Sequence, residues 1–212
     1  MIGDKLVITD YHRRSAAIVF PALIKKIEEI GVPLAVTIGG ESGSGKSETA
    51  VVLAELCEEK GYKTLILQQD DYFILPPRTN HERRLEDIGW VGLQEVKLDK
   101  FNEDVGAVKS GREKTIRKPL VIFDENLLTE EEVDVEGIDV VIAEGTYATT
   151  IENAELRVFI DRDYRQTKKA RLTRSRDPAT DFLEKVLAIE HEIISGHKAL
   201  ADVVLPPPEE ER

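Results

Sequence analysis

Eight residues in the first quarter of the chain have the types and spacing of a phosphate-binding loop. Gly40-Glu41-Ser42-Gly43-Ser44-Gly45-Lys46-Ser47 fits G-x-x-x-x-G-K-[ST] at every fixed position. Glycines let the backbone turn tightly, so several N–H groups can point at one anion. We expect Lys46 to reach the β- and γ-phosphates and the Ser47 hydroxyl to ligate Mg²⁺. The loop therefore predicts binding of a nucleoside triphosphate, with MgATP as the expected ligand.

Two acidic positions follow apolar runs and could act next to those phosphates. Asp70 and Asp71 come shortly after the run at residues 64–67, and Glu144 directly follows residues 139–143. A carboxylate at such a strand end can orient an acceptor hydroxyl and take its proton, or hold Mg²⁺ through water. A turn or capping role for these acids is the alternative that the residues alone leave open. We predict that Asp70 is the catalytic base and that Asp70 and Glu144 help Ser47 to hold the metal.

A basic cluster stands out in a chain of net charge −12. Arginine suits the charge that spreads over a transferring phosphoryl group, and this spacing lets several side chains converge on one anion. A solvated basic face is the alternative. We predict catalytic roles for Arg171 and Arg174 and a nucleotide contact for Arg176. The cluster consists of Lys168, Lys169, Arg171, Arg174 and Arg176.

The elements that must position these residues alternate between strand and helix. Apolar runs predict strands at residues 34–38, 64–67, 139–143, 156–160 and 201–205. Helical spacing predicts helices at 14–30, 47–60, 99–109 and 164–174, and another that begins at Asp177-Pro178 and ends at Gly196. A polar turn between 120–123 and 133–135 predicts a hairpin. The fold class expected is α/β, with a parallel sheet covered on both faces and ligands at the carboxyl ends of its strands.

Length and composition limit the organisation and the partners. The 212 residues predict one domain, with residues 1–32 as a helical N-terminal extension and 206–212 as an extended acidic tail. The net charge of −12 disfavours nucleic acid as the main partner. The only cysteine, Cys57, allows no internal disulfide and favours a reducing, cytoplasmic location. No apolar run reaches the roughly 18 residues that span a bilayer.

Five segments, in order, resemble the uridine kinase and phosphoribulokinase family, which also includes nicotinamide riboside kinases and a type of pantothenate kinase. The segments lie at residues 40–47, 69–73, 139–145, 171–177 and 201–205, so the resemblance spans residues 34–205. It implies a three-layer P-loop kinase fold with a five-stranded parallel core, a mobile lid and a small hairpin near the acceptor pocket. It also implies phosphoryl transfer from MgATP to a hydroxyl group.

By motif position, the resemblance makes Asp70 the base, puts Glu144 near the metal and puts the arginines in the lid. The hairpin at residues 119–135 falls where the family shapes its acceptor pocket. We expect Asp70, Tyr72, Arg83 and Asp124 to contact the acceptor. Family members that act on uridine follow a Tyr-Asp-Phe stretch with His and Arg in this hairpin. Residues 119–128 here read PLVIFDENLL, which disfavours uridine and cytidine.

The expected function is therefore a small-molecule kinase whose acceptor is a nucleoside, a sugar or a related alcohol. Two other classes stay open from the sequence. One is a nucleotide-binding regulatory protein without an acceptor, and the other is a P-loop ATPase or kinase directed at polynucleotides. We expect no nucleic-acid or membrane partner. No interface is legible in the sequence, and a homodimer is compatible with it.

Overall fold

The computed structural model describes residue 2, residues 6–168, residue 171 and residues 180–208. The strands are β1 (Leu34–Gly40), β2 (Thr64–Gln68), β3 (Thr115–Ile122), β4 (Leu127–Asp134), β5 (Val140–Gly145), β6 (Leu156–Ile160) and β7 (Val203–Leu205). The helices that lie wholly in the described residues are α1 (Asp10–Ile30), α2 (Lys46–Glu59), α3 (Pro77–Glu86), α4 (Leu98–Ser110) and α5 (Asp181–Ile194).

Five parallel strands form the central sheet in the order β2-β5-β1-β6-β7. Every residue of β1 and β5 is buried, which explains why these strands read as continuous apolar runs. One face packs on α1 and α2 through Leu23 and Leu53, and the other packs on α4 through Phe101 and Val105. The predicted three-layer α/β fold with a parallel sheet is confirmed.

The hairpin is longer than the sequence pattern indicated. β3 and β4 pair antiparallel over eight positions, from Thr115 opposite Asp134 to Ile122 opposite Leu127. Much of β4 is polar and exposed, including Glu130 and Glu132. Hydrophobic alternation therefore marked only parts of the hairpin.

The helices differ from prediction mainly where an apolar stripe is absent or interrupted. α1 begins at Asp10, four residues before the predicted start, and continues through Pro21. α3 was not predicted, because Asn80 is its one fully buried residue. α5 begins at Asp181, where the Thr180 hydroxyl caps the Leu183 N–H at 3.1 Å. The expected start at residues 177–178, and much of the expected helix at 164–174, lie outside the described residues.

Two further observations concern the helices. α5 ends at Ile194 and continues as a 3-10 helix, Ser195–Leu200, so Gly196 does not end the helical path as predicted. None of the helices in the described part of the chain is long and apolar enough to cross a membrane.

Candidate functional site

The phosphate loop connects β1 to α2 at the carboxyl edge of the sheet. Gly43 and Gly45 have φ of 75° and 101°, a left-handed conformation that glycine adopts without strain. Lys46 is the first residue of α2, and its Nζ donates to the Glu41 carbonyl at 2.9 Å. The N-terminus of α2 thus opens into the loop, where the partial positive charge of the helix start favours an anion.

A side chain at residue 45 would disturb this loop. An added Cβ on Gly45 would lie 2.7 Å from His12 Nε2, whereas one on Gly61, at the other end of α2, meets nothing within 4 Å. Both glycines have a positive φ, so Gly61→Ala introduces comparable backbone strain without the clash. We predict that Gly45→Ala weakens ATP binding at least about tenfold in calorimetric titration, since one lost charge-assisted contact is worth about 1.5–3 kcal/mol. Unchanged affinity in Gly45→Ala, or an equal loss in Gly61→Ala, would contradict this.

Glu144 lies between the two strands that carry the other site residues. On β5 it is in register with Ile38 of β1 and Gln68 of β2. Its Oε1 accepts from Ser47 Oγ at 2.9 Å and from Gln68 Nε2 at 3.3 Å. The structure thus brings Ser47 and Glu144 together, as predicted from the strand ends.

The electrostatics of this cluster suit a hard cation. Burial, and then the charge of Asp70, raise the pKa of Glu144 to about 7, while Lys46 and the Ser47 hydrogen bond act in the opposite direction. A hydroxyl and carboxylate oxygens are donors that Mg²⁺ accepts. Within the described residues, no group of three His, Cys, Asp or Glu side chains that could hold a metal is present. Phosphate and water oxygens would complete the coordination, which is how Mg²⁺ is usually held in phosphoryl-transfer sites.

The raised pKa of Glu144 predicts a pH effect on stability without ligands. The carboxyl stays protonated in the folded protein while it ionises in the unfolded chain, so stability falls as pH rises from about 4.5 to about 7. We predict that Glu144→Gln removes part of this fall, so the variant gains in Tm relative to the original chain between pH 5 and pH 7.5. Each kcal/mol moves Tm by about 2–4 °C in a chain of this size. A Tm difference that is constant with pH would contradict the assignment.

Asp70 and Asp71 are adjacent but have different surroundings. Asp71 is buried and accepts from Lys118 Nζ at 2.8 Å and from the Val121 N–H at 3.0 Å. It therefore joins the end of β2 to the hairpin and is not among the residues that line the pocket next to Asp70. Asp70 is half-buried and lines a pocket between α3, the hairpin and α5.

This pocket has an apolar wall and a short polar floor. Its volume is about 160 Å³. The His81 ring lies edge-on to Phe182, with centroids 5.7 Å apart. Besides Asp70, the lining consists of Phe73, Leu75, Pro77, Asn80, His81, Arg84, Val121, Phe123, Phe182, Leu183 and Val186.

Three residues expected to contact the acceptor lie elsewhere. Tyr72 is fully buried, donates to Asp104 Oδ2 at 2.9 Å and packs on Phe101, so its predicted acceptor contact is wrong. Burial also raises the pKa of the Tyr72 hydroxyl.

The other two are Arg83 and Asp124, and both lie outside the pocket lining. Arg83 lies 5.6 Å from the Trp90 ring centroid and faces Asp87, because successive helix positions point about 100° apart and Arg84 takes the inward position. Asp124 is exposed in the hairpin turn, and Phe123 lines the pocket instead.

A buried polar network behind the pocket was not anticipated from the sequence. Glu95, with no exposed surface, accepts from Asn80 Nδ2 at 2.5 Å, from Arg84 Nε at 2.7 Å and Nη2 at 3.1 Å, and from the Gly92 N–H at 2.7 Å. Arg84 Nη2 also donates to Glu190 Oε1 at 3.0 Å. These residues come from α3, a loop and α5, and no local pattern marks their meeting.

Of the predicted lid arginines, only Arg171 is among the described residues. Its Cγ would lie 2.7 Å from a Cβ added to Gly43, so it lies against the phosphate loop. Its Nη1 donates to the Tyr164 carbonyl and to Thr167 Oγ1. Arg174 and Arg176 lie outside the described residues.

Two histidines lie against the same loop. His191 Nδ1 is 2.6 Å from Glu41 Oε1, and the Tyr164 N–H donates to Glu41 Oε2 at 2.6 Å. His12 is buried beside Gly45, so the N-terminal helix packs directly against the loop. No sequence signal connects these distant positions.

The curated proteins to which this chain is similar in sequence include several kinases. No protein-family model matches the chain. The chain is 27% identical over 184 residues to a bifunctional alpha-galactosidase/sucrose kinase of Mediterraneibacter gnavus, which covers 80% of this chain and 20% of that protein. It is 30% identical over 135 residues to a uridine kinase of Ureaplasma urealyticum, and the match covers 61% of this chain and 62% of that kinase. A uridine kinase of Bacillus pumilus is 28% identical over 199 residues, with 82% and 86% covered.

The chain thus spans a fifth of the first relative's length and 62% of the second's. Among solved structures, phosphoribulokinase from Rhodobacter spheroides superposes with a TM-score of 0.61 at 12% identity, over 82% of this chain and 69% of that one. At that identity, the likeness concerns the fold alone.

Proposed function

We propose that this chain is a P-loop kinase of the uridine kinase- and phosphoribulokinase-like family, and that it transfers the γ-phosphoryl group of MgATP to a hydroxyl of a small metabolite. One observation carries the proposal. Ser47 of the phosphate loop is hydrogen-bonded to Glu144, whose pKa responds to Asp70, and Asp70 lines a separate pocket. The proposed nucleotide site, marked by Ser47 and Glu144, thus lies next to the proposed acceptor pocket, which Asp70 lines.

In the proposed reaction, the loop N–H groups and Lys46 hold the phosphates. Asp70 accepts the proton of the acceptor hydroxyl while the oxygen of that hydroxyl bonds to the γ-phosphorus. The bond from the γ-phosphorus to the β–γ bridging oxygen breaks at the same time, and ADP is released. Ser47, with Asp70 and Glu144 through water, would hold Mg²⁺, which supplies neutralising charge to the phosphates. Positioning and charge thus provide most of the rate acceleration.

The lid completes this proposal. Arg171, next to Gly43, is placed to meet negative charge that develops on the transferring group. We assign the same task to Arg174, and a nucleotide contact to Arg176. The chain acts in this view as one kinase domain, in which α1 extends the core and supports the phosphate loop through His12.

The acceptor is a nucleoside, a sugar or a related alcohol. A screen of ADP formation over nucleosides, sugars, polyols and vitamin precursors tests the proposal, with Asp70→Asn as the blank. We expect one compound class to give ADP and a phosphorylated product in equal amounts, detected by mass spectrometry. Tight ATP binding without transfer to any alcohol would instead indicate a regulatory nucleotide-binding protein.

A further inference from the structure

Arg84 is the one guanidinium in the described lining of the acceptor pocket, and its position is fixed by carboxylates. Nε and Nη2 both donate to Glu95, at 2.7 and 3.1 Å, and Nη2 also donates to Glu190 at 3.0 Å. An arginine recognises a phosphate or carboxylate group best through two parallel N–H bonds. Here Glu95 already occupies the Nε–Nη2 edge in that way.

An anionic acceptor could not easily displace Glu95. That carboxylate has no exposed surface and accepts four hydrogen bonds, from Asn80, Arg84 (two) and Gly92. Moving it off Arg84 would leave a buried carboxyl group without its partner, which is strongly unfavourable. The Nε and Nη2 groups of Arg84 are thus committed to the protein's own carboxylates.

The charge around the pocket points the same way. Glu95 and Glu190 both bond Arg84, and Asp70 lines the same pocket. Carboxyl groups therefore outnumber the single guanidinium at this site.

The remaining wall is apolar. Phe73, Phe123 and Phe182 line it, together with four smaller groups: Leu75, Val121, Leu183 and Val186. Such a surface suits the ring face of a sugar or a base. We propose that the acceptor is an uncharged hydroxyl compound with an apolar face, and that the Glu95–Arg84–Glu190 network excludes acceptors that carry a phosphate or carboxylate group. This inference rests on the proposed function, because it names the substrate class of the same pocket.

Matched pairs of compounds test the inference. Each pair keeps the hydroxyl groups and differs by one carboxylate: propane-1,2-diol with glycerate, 6-deoxyglucose with glucuronate, and uridine with orotidine. We expect the uncharged member of the accepted pair to show a kcat/KM at least about 100-fold higher. Equal or better turnover of the anionic member would overturn the proposal.

Variants of the network test its cause. Glu190→Gln removes one carboxylate from Arg84, and we expect it to raise kcat/KM for the anionic member about tenfold relative to the uncharged one. Glu192→Gln, on the exposed side of α5, is the matched control and leaves the ratio unchanged. If a thermal unfolding experiment shows that Glu190→Gln does not fold, the matched pairs measured with the unaltered chain still test the preference for uncharged acceptors. A folded Glu190→Gln with an unchanged ratio contradicts the role of the network.

A readout independent of turnover separates this inference from the proposed function. Trp90 is the only tryptophan, and its Nε1 donates to Asn80 Oδ1 in the pocket at 2.8 Å. Its fluorescence should change when the pocket fills, whether or not phosphoryl transfer occurs. If no alcohol is phosphorylated, the proposed function fails, and titrations of the same pairs still measure the charge preference. Tighter binding of uncharged members supports the inference. Equal or tighter binding of anions, or no response to any uncharged compound, overturns it.

Discussion

Replacing Asp70 with asparagine should lower kcat by about 10²–10⁴-fold while ATP affinity stays within a few fold. The amide keeps the size of the carboxylate but cannot accept the hydroxyl proton, and general-base catalysis contributes that range. Asp70 lines the acceptor pocket and is half-buried, so the substitution should fold. Single-turnover assays with the accepted alcohol measure kcat, and calorimetry measures the ATP affinity.

Asp124→Asn is the matched control, because that carboxylate is exposed in the hairpin turn. It should leave kcat unchanged. Near-normal turnover by Asp70→Asn would rule out its role as base, and a parallel loss in both variants would indicate a general effect of charge.

Replacing Lys46 with alanine should reduce kcat/KM for ATP at least about 10³-fold. Its ammonium is at the first turn of α2 and bonds the Glu41 carbonyl across the loop, so it helps to shape the loop. We propose that it also reaches the phosphates. Removal of one such electrostatic donor costs about 10²–10³ in kcat, and lost ground-state binding adds to that. Initial rates over a range of ATP concentrations separate the two terms.

Lys60→Ala provides the comparison for this second prediction. Lys60 is exposed at the opposite end of α2, so its removal changes the net charge by the same amount without touching the loop. The control should keep both kcat and KM. A Lys46→Ala variant that retains ATP turnover would contradict the assignment of the loop.

The features that could be predicted from the sequence are those that neighbouring residues determine. The strand at 156–160 matches β6 residue for residue, because a parallel strand buried on both faces reads as an apolar run. The loop at residues 40–47 was legible because glycines, a lysine and a hydroxyl must stand in one fixed order. The position of Asp70 and Glu144 near one edge of the sheet could be predicted, because parallel strands bring their carboxyl ends to one edge.

What the sequence did not reveal depends on contacts between distant segments. Whether Asp70 or Asp71 faces the pocket is decided by Lys118, which lies 47 positions beyond Asp71 and holds it on the hairpin. No local pattern marks Arg84 as a pocket residue, since its partner Glu190 lies 106 positions away. α3 carries no apolar stripe, and so its inward side was read one residue early, at Arg83.

The bond between His191 and Glu41 gives α5 two duties. The same helix presents Phe182 and Val186 to the acceptor pocket and contacts the phosphate loop through His191, about one to two and a half turns later. If a ligand in one site shifts this helix, the shift reaches the other site. Thermodynamic linkage then requires the influence to be mutual: an alcohol that tightens the grip on nucleotide must itself be gripped more tightly when nucleotide is present.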